Sequence, residues 1–420
     1  MVKIGVIGAG ISGLTTAFYL AKYLQERGED FTVDIYEKSN RPGGTIHSCK
    51  KEGFLVEEGP NGFLDSKPST LRLCGELGIS EKLLPADESS RRRYILLNGK
   101  LILVPEKPGQ FLKSEIMSFK GKIRLFCEGL IKKGEAEKDE TIAEFGRRRI
   151  GREAVENLLD PMVTGIFAGD PESLSLRACF PRIWEMEQEY SSLTKALMAI
   201  RKKKKSAGPA GPGGNLTSFE DGTDYLIKKM AGRKELNVFL NKEVKKIDFS
   251  DDSWLIEISN KVYDVLVSAV PACAFSGLLT ELVPTASEIV DRIPYSPMAV
   301  IGLGYRRELV YGKIDGFGFL IPHREKRRIL GALFSSRIFP DRAPEDYELI
   351  QVMLGGARFT EISAMDDKTV LELALEELSS ILGLNSRPDF IHLVRYKKAI
   401  PQYRRAHLSL LENLKEKLAP

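Results

Sequence analysis

The sequence is short of the residues that build metal sites and disulfide frameworks. Its five cysteines are at least 25 positions apart, and its four histidines are equally dispersed along the chain. This spacing contains no C-x-x-C pair, so it predicts neither a zinc site nor a disulfide scaffold. It is typical of free thiols in a reducing compartment. We therefore predict a cytoplasmic protein without a bound metal.

The sequence also lacks a large charge imbalance and a long apolar run. Its 62 basic and 58 acidic residues leave a net charge of +4 over 420 residues, which argues against a dedicated nucleic-acid-binding protein. Near the N-terminus, the uncharged stretch 4–21 contains too many glycines for a signal peptide. The apolar run 265–277 is interrupted by Pro271, and a bilayer span takes about 20 residues. No transmembrane helix is predicted.

What the sequence does have is a dinucleotide-binding pattern at its N-terminus. An apolar stretch typical of a buried strand, Val2–Ile7, precedes the G-x-G-x-x-G run at 8–13, and a helical pattern follows until Gly28. A second strand, 31–36, leads directly to Glu37. This strand–turn–helix–strand–acid order makes an otherwise weak motif specific.

Each part of the pattern has a physical task. Gly8 permits the tight turn, Gly10 lets the backbone approach a pyrophosphate, and Gly13 allows close packing of helix and strand. The helix N-terminus offers free N–H groups to phosphates. Glu37 is placed to accept hydrogen bonds from a ribose.

A second glycine pair favours FAD over NAD. The run Arg41-Pro42-Gly43-Gly44 follows the acidic residue, and a turn-rich stretch follows at 57–62. This succession resembles the FAD-binding half of the flavin amine oxidase superfamily, although Thr45 stands where its R-x-G-G-R motif ends in arginine. The predicted FAD-binding residues are Gly8, Ala9, Gly10, Ile11, Ser12, Gly13, Glu37, Lys38, Gly43, Gly44, Thr45, Gly59, Pro60, Asn61 and, by the resemblance, Val244.

The middle of the chain departs from an α/β alternation. Residues 91–101 predict a hairpin around Asn98-Gly99. Thr141 and Glu144 have the spacing of a capping box at a helix start, and Pro161 predicts the start of a further helix.

The segment 160–181 indicates one family within this superfamily. Its run DPMVTGIFAGDP, followed by LSLR and FP, resembles the protoporphyrinogen/coproporphyrinogen oxidase family. Further segments agree with that family, namely 144–151, 316–322, 339–344, 354–356 and 400–403. The resemblance extends from Lys3 to about Leu414.

The resemblance implies an α/β fold with three parts. A Rossmann-like FAD-binding domain of discontinuous segments would comprise 1–80 and 215–290. An α+β substrate domain would comprise 81–110 and 291–400, and a helical, membrane-associated domain 111–214. Residues 401–420 would form a return helix towards the FAD domain.

The implied activity is oxidation of a porphyrinogen to a porphyrin in haem biosynthesis. Six electrons would leave in three flavin cycles, with oxygen the usual acceptor, so no catalytic side chain is predicted. By alignment with the family, Arg93 is the anchor for a substrate propionate. Phe317, Phe319 and Leu333 are candidate walls of an apolar slot. The sequence leaves open whether the substrate is protoporphyrinogen or coproporphyrinogen, and which electron acceptor is used.

A basic run and the family resemblance also imply partners. The basic run Arg201–Lys205 precedes a Gly/Pro loop at 208–214 and suits an anionic membrane surface, although a solvated loop explains it equally well. Peripheral contact with the inner face of the cell membrane, a ferrochelatase partner and a homodimer are the expectations. No nucleic-acid partner is expected.

The chain ends at Pro420, before the glycine-bearing segment that contacts the flavin in the family. We expect these residues to lack that part of the FAD domain. Two alternatives stay open: another flavin enzyme, such as an amine oxidase or carotenoid desaturase, and a flavin-free remnant that binds porphyrin or a partner.

Overall fold

A computed structural model describes residues 1–204 and 214–418, with side chains through 200 and again from 214. The side chains of the basic run 201–205 and the loop 208–213 lie outside the described residues. The strands are β1 (Val2–Ile7), β2 (Phe31–Tyr36), β3 (Ser48–Lys51), β4 (Phe54–Glu57), β5 (Phe63–Leu64), β6 (Leu83–Pro85), β7 (Arg93–Leu97), β8 (Lys100–Leu103), β9 (Leu216–Phe219), β10 (Asn237–Phe239), β11 (Ile247–Ser250), β12 (Ser253–Ile256), β13 (Lys261–Tyr263), β14 (Val265–Ser268), β15 (Tyr295–Arg306), β16 (Gly318–Leu320), β17 (Ile329–Phe334), β18 (Tyr347–Gly355) and β19 (Phe390–Pro401).

The α-helices are distributed throughout the chain. They are α1 (Ile11–Glu26), α2 (Pro68–Glu76), α3 (Pro108–Lys113), α4 (Phe119–Phe126), α5 (Ile142–Arg149), α6 (Arg152–Ala154), α7 (Asp160–Phe167), α8 (Leu176–Cys179), α9 (Pro181–Tyr190), α10 (Leu193–Lys204), α11 (Asp224–Ala231), α12 (Ala272–Leu279), α13 (Pro284–Asp291), α14 (Arg307–Val310), α15 (Ser335–Ile338), α16 (Asp367–Leu382) and α17 (His407–Leu418). None of the described helices is long and apolar enough to cross a membrane.

A parallel sheet forms the Rossmann-like part, in the order β10-β2-β1-β14. Its strands come from two chain segments, 2–36 and 237–268, which confirms the predicted discontinuous domain. β1 and β2 are buried on both faces, as apolar parallel strands are, and α1 packs its Leu14 and Phe18 into the same core. The helix ends where Gly28 adopts a φ of +68°.

A larger mixed sheet has the order β19-β15-β18-β17-β16-β7-β8. It joins the hairpin β7–β8 to strands that lie 190 or more positions later, and α16 covers one face with Val370, Ala374 and Leu378. The hairpin turn is the predicted one, since Asn98 and Gly99 both have positive φ.

Residues 108–204 are mainly helical. Thr141 and Glu144 form the predicted capping box. The helix does not continue unbroken, because Gly151 has a φ of +91° and residues 155–159 form a π-helical turn before α7. Arg149 is fully buried here, where it pairs with Glu128 and Glu187.

Candidate cofactor and substrate site

The glycine-rich turn leaves the start of α1 open. Gly10 caps the helix without a side-chain hydrogen bond, and no acidic residue stands in the first turn. The first N–H groups of the helix and its positive dipole end therefore face outwards. A Cβ atom built on Gly10 would meet nothing within 4 Å, whereas one on Gly13 would lie 1.9 Å from the Gly8 carbonyl oxygen. Gly10 borders open space for a ligand, and Gly13 serves close packing.

Glu37 is buried at the end of β2, beside this turn. Its Oε2 accepts a hydrogen bond from the Ala9 N–H at 2.9 Å, and its Oε1 accepts one from the Ser39 N–H at 2.9 Å. Each carboxylate oxygen keeps a further acceptor position, which suits a ribose hydroxyl. Glu37 also shapes the turn, a role that the sequence motif alone did not indicate.

The second glycine pair packs on the first. The Gly43 N–H donates to the Ala9 carbonyl at 2.8 Å, and Gly10 and Gly43 form a bridge. Gly59 lies against this segment, since a Cβ there would be 2.1 Å from the Thr45 carbonyl oxygen. The structure thus brings together three motifs that the sequence separates.

The remaining predicted cofactor residues border the same region. Ser12, Lys38, Gly44, Thr45 and Pro60 are exposed, and Asn61 is partly exposed. Val244 is mostly buried and packs in a cluster with Ile7 and Tyr36. Its segment is tied to the site because the Lys242 N–H donates to the Glu37 carbonyl at 2.8 Å.

A mostly apolar cavity of about 480 Å³ adjoins the site. Ile11 and Pro60, both predicted cofactor residues, line it together with residues of α1, α2, β9 and α11. A helix start with free N–H groups, an open glycine and a buried acid beside an apolar cavity fit FAD, whose pyrophosphate, ribose and ring need those surroundings.

Glu57 holds in place the loop that carries Gly59 and Pro60, which we call the cofactor loop. It accepts hydrogen bonds from the Thr223 hydroxyl at 2.6 Å and the Ser48 hydroxyl at 2.7 Å. Burial raises the pKa of Glu57, although these hydrogen bonds and the nearby Arg342 oppose the shift. A buried network of this kind holds a loop in one conformation.

One face of the large sheet points at this loop. Arg93, Gly318, Leu333 and Gln351 are neighbours in register on adjacent strands, so they share a face. The Gln351 side chain donates to the Glu57 carbonyl at 2.9 Å. Arg93 is exposed, and its guanidinium carbon lies 4.8 Å from the centre of the Phe317 ring. Arg93, Leu333 and Phe317, all predicted substrate residues, therefore lie close together.

Phe319 differs from the prediction. It is only 2% exposed and packs in the core with Phe334 and Ala332, its neighbour in register. Successive residues of a strand point to opposite faces, so Phe319 is directed away from the face that carries Leu333. It is a core residue here and lines no accessible wall.

Residues outside the predicted site hold the segment 160–171 in place. Arg358 binds Asp160 at 2.5 Å and Asp170 at 2.7 Å, and the Gln402 side chain donates to the Phe167 carbonyl at 2.9 Å. The Ala357 N–H donates to the Ala168 carbonyl at 2.8 Å. Gln402 belongs to a motif that the sequence singled out, but no local signal marked Arg358.

The fold and the site define an FAD-dependent oxidoreductase. The chain belongs to the family described as flavin containing amine oxidoreductase, which matches residues 11–417. It is 29% identical to the coproporphyrinogen III oxidase of Bacillus subtilis (strain 168), over 99% of this chain and 90% of that protein. It is also 29% identical to the mitochondrial protoporphyrinogen oxidase of Nicotiana tabacum, over 98% of this chain and 87% of that protein.

A solved structure has the same fold. It is that of an Exiguobacterium sp. 255-15 protein assigned as a protoporphyrinogen oxidase, with a TM-score of 0.81 and 20% identity over 99% of this chain and 91% of the other. The predicted relationship to the porphyrinogen oxidases within the flavin amine oxidase superfamily is therefore confirmed, as is the Rossmann-like fold.

Proposed function

We propose that this protein oxidises a porphyrinogen to the corresponding porphyrin in haem biosynthesis. Both relatives named above are porphyrinogen oxidases and are similar over nearly the whole chain. Bound FAD supplies the redox chemistry, two electrons at a time, so that six electrons take three cycles with oxygen as the acceptor. The protein's task is to bind the macrocycle, orient it and keep water out.

The position of Arg93 is the observation that carries this proposal. It is an exposed guanidinium beside an aromatic ring, on the sheet face whose Gln351 contacts the cofactor loop. A guanidinium binds a carboxylate through two parallel hydrogen bonds, and Phe317 and Leu333 offer apolar surface next to it. A porphyrinogen, an apolar macrocycle with propionate arms, matches this combination of a guanidinium and an apolar surface. A small amine substrate would not require the guanidinium.

We further propose that the helical region rests on a membrane surface. The segment 112–130 exposes large apolar side chains in the described structure, where isolated ones are ordinary but a concentration is not. They are Leu112, Phe119, Ile123, Phe126 and Leu130, between 48% and 83% exposed. Lys120 is exposed on the same short helix, α4, and suits anionic lipid headgroups. The ferrochelatase partner and the homodimer stay predictions.

The substrate proposal is tested by replacing Arg93. Porphyrin fluorescence is followed after adding protoporphyrinogen or coproporphyrinogen to purified, FAD-loaded protein. Losing a charge-assisted hydrogen bond costs about 1.5–3 kcal/mol, so Arg93→Ala should lower kcat/KM by roughly 10- to 150-fold. Arg93→Lys should recover part of that loss.

Arg91→Ala is the matched control, because Arg91 is an exposed arginine just before the same strand. It should leave kcat/KM unchanged. Flavin absorbance must be equal in all variants, which separates a substrate effect from loss of cofactor. Flavin-loaded protein that forms porphyrin from neither substrate would refute the proposed function, and equal effects of the Arg91 and Arg93 variants would refute the anchor.

A further inference from the structure

Three potential metal ligands from distant parts of the chain meet beside the cofactor loop. Cys49 lies on β3, Glu58 directly follows β4, and His392 lies on β19, 334 positions beyond Glu58. The Cys49 Sγ is 3.8 Å from the His392 Nδ1, and the His392 Nε2 is 2.9 Å from the Glu58 Oε1. One donor atom from each of the three lies within 4.8 Å of the others.

Cys49 and His392 come close together because the hairpin β3–β4 packs on the large mixed sheet. His392 is in register with Gly302 of β15, and a Cβ on Gly302 would lie 2.8 Å from the Val56 side chain. Because Gly302 has no side chain, the hairpin can approach the sheet closely. Cys49 is paired with Val56, so the thiol is brought to the imidazole by the same contact.

We propose that Cys49, Glu58 and His392 bind a divalent transition-metal ion, with Zn²⁺ the best match. A thiolate, an imidazole and a carboxylate are the three ligand types that zinc accepts. With bonds of about 2.0–2.3 Å, ligand atoms of a tetrahedral site lie about 3.5 Å apart. Only one His392 ring nitrogen can bind a given ion. The three donor atoms, which lie within 4.8 Å of one another, would have to approach by up to about 1.3 Å to reach that geometry.

His47 positions the carboxylate from the outside. Its Nδ1 is 2.7 Å from the Glu58 Oε2, the oxygen that does not contact His392. That nitrogen is buried and forms no hydrogen bond of good geometry. The Glu58 side chain is only 11% exposed and faces two imidazoles, and a bound cation would offset its charge further.

The ion would add a further link between two parts of the site. Glu58 begins the loop that carries Gly59 and Pro60, and His392 belongs to the sheet that carries Arg93. This metal site goes beyond the proposed oxidation, since it involves neither the flavin nor the substrate. Its test uses a readout other than enzyme activity.

Cobalt(II) is the spectroscopic probe. The full chain with reduced thiols is titrated with Co²⁺ and then with Zn²⁺. One Co²⁺ per chain should bind with the near-ultraviolet absorption of a thiolate–cobalt bond, and Zn²⁺ should remove it. Cys49→Ser should abolish this band, and His392→Asn should lower the affinity at least 100-fold. His47→Asn should lower it by about 10- to 100-fold, the effect of losing an outer partner.

Cys127→Ser is the matched control, since Cys127 is a partly exposed cysteine outside the candidate group. It should keep the band. If a Cys49 variant does not fold, alkylation of the unaltered chain replaces it: Zn²⁺ should slow labelling of Cys49 at least tenfold and leave Cys127 unaffected. Absence of the cobalt band, a band that survives Cys49→Ser, or alkylation of Cys49 that Zn²⁺ does not slow would each overturn the proposal.

Discussion

The two glycines at the start of α1 lead to opposite predictions for the same substitution. A Cβ on Gly13 would lie 1.9 Å from the Gly8 carbonyl oxygen, against 3.4 Å or more in ordinary contacts. The helix start and the turn must then separate by about 1.5 Å, because the clashing atom is backbone. Overpacking of this kind costs about 1–3 kcal/mol, so Gly13→Ala should lower the melting temperature of the apoprotein by roughly 2–12 °C.

Gly10→Ala should behave differently. Its Cβ meets no protein atom within 4 Å, and the φ of −72° suits alanine. The poorer helix cap costs at most about 1 kcal/mol, so the apoprotein should be nearly as stable as the unaltered one. The new methyl group occupies space next to the free N–H groups. We expect FAD affinity to fall by about 10- to 150-fold, equivalent to losing one charge-assisted hydrogen bond.

Two measurements separate the variants. Thermal unfolding of the apoproteins, followed by circular dichroism, reports packing, and quenching of flavin fluorescence during titration reports FAD affinity. A Gly13→Ala apoprotein with the same melting temperature as the unaltered one would show that the turn can move without loss of stability. A Gly10→Ala protein with unchanged FAD affinity would show that the pyrophosphate does not approach this turn. Either result would refute the assignment of that glycine.

Two further predictions concern the helical region and the parallel sheet. The double variant Phe119→Ser/Phe126→Ser should bind anionic phospholipid vesicles at least tenfold more weakly in a flotation assay, because each phenylalanine buried in the membrane contributes about 1.5–3 kcal/mol. Tyr311→Ser is the control, since Tyr311 is similarly exposed elsewhere on the protein. Equal flotation of the two variants would contradict the membrane proposal. Burial by itself would raise the pKa of Asp34, but hydrogen bonds from Lys261, Asn237 and Tyr263 bring it below its usual value. Its stabilising effect should therefore be complete above about pH 4 and be lost as the pH falls through the lowered pKa. The urea midpoints of the unaltered protein and Asp34→Asn should differ most at pH 7 and converge as the pH falls through the lowered pKa, whereas a constant difference would exclude this role.

Local signals predicted the turns of the candidate cofactor site. The glycine turn, Glu37 and the second glycine pair are each specified within a few residues, because turn geometry and helix starts depend on neighbours in sequence. The hairpin at Asn98 followed from the same kind of chemistry. No local signal marked the end of β10, which stops at Phe239. The chain then turns back, so that the Asn241 N–H donates to the Ser39 carbonyl and the Lys242 N–H donates to the Glu37 carbonyl.

The substrate half depended on information that a local pattern does not contain. Which face Phe319 occupies is set by the register of β16 against β17, a pairing between distant segments. Arg358 acquires its role only when α7 packs beside the end of β18. Likewise, Cys49 and His392 looked unrelated because dispersed ligands resemble isolated residues until the fold joins them.

A single row across the large sheet explains why these features coincide. Gly318, Leu333, Gln351 and Gly302 connect Arg93 at one end with His392 at the other, all in register. Two of the four connecting positions are glycine, and at Gly302 the absent side chain makes room for the hairpin before the cofactor loop. Gln351, in the middle, binds that loop at the Glu57 carbonyl. A slip of one residue in any of these pairings would turn the affected side chains to the opposite face. The register of this sheet therefore couples Arg93, the loop that carries Gly59 and the proposed metal ligands. The register shifts at Ser296/Met298 and at Ile329/Gly331 both lie outside this row.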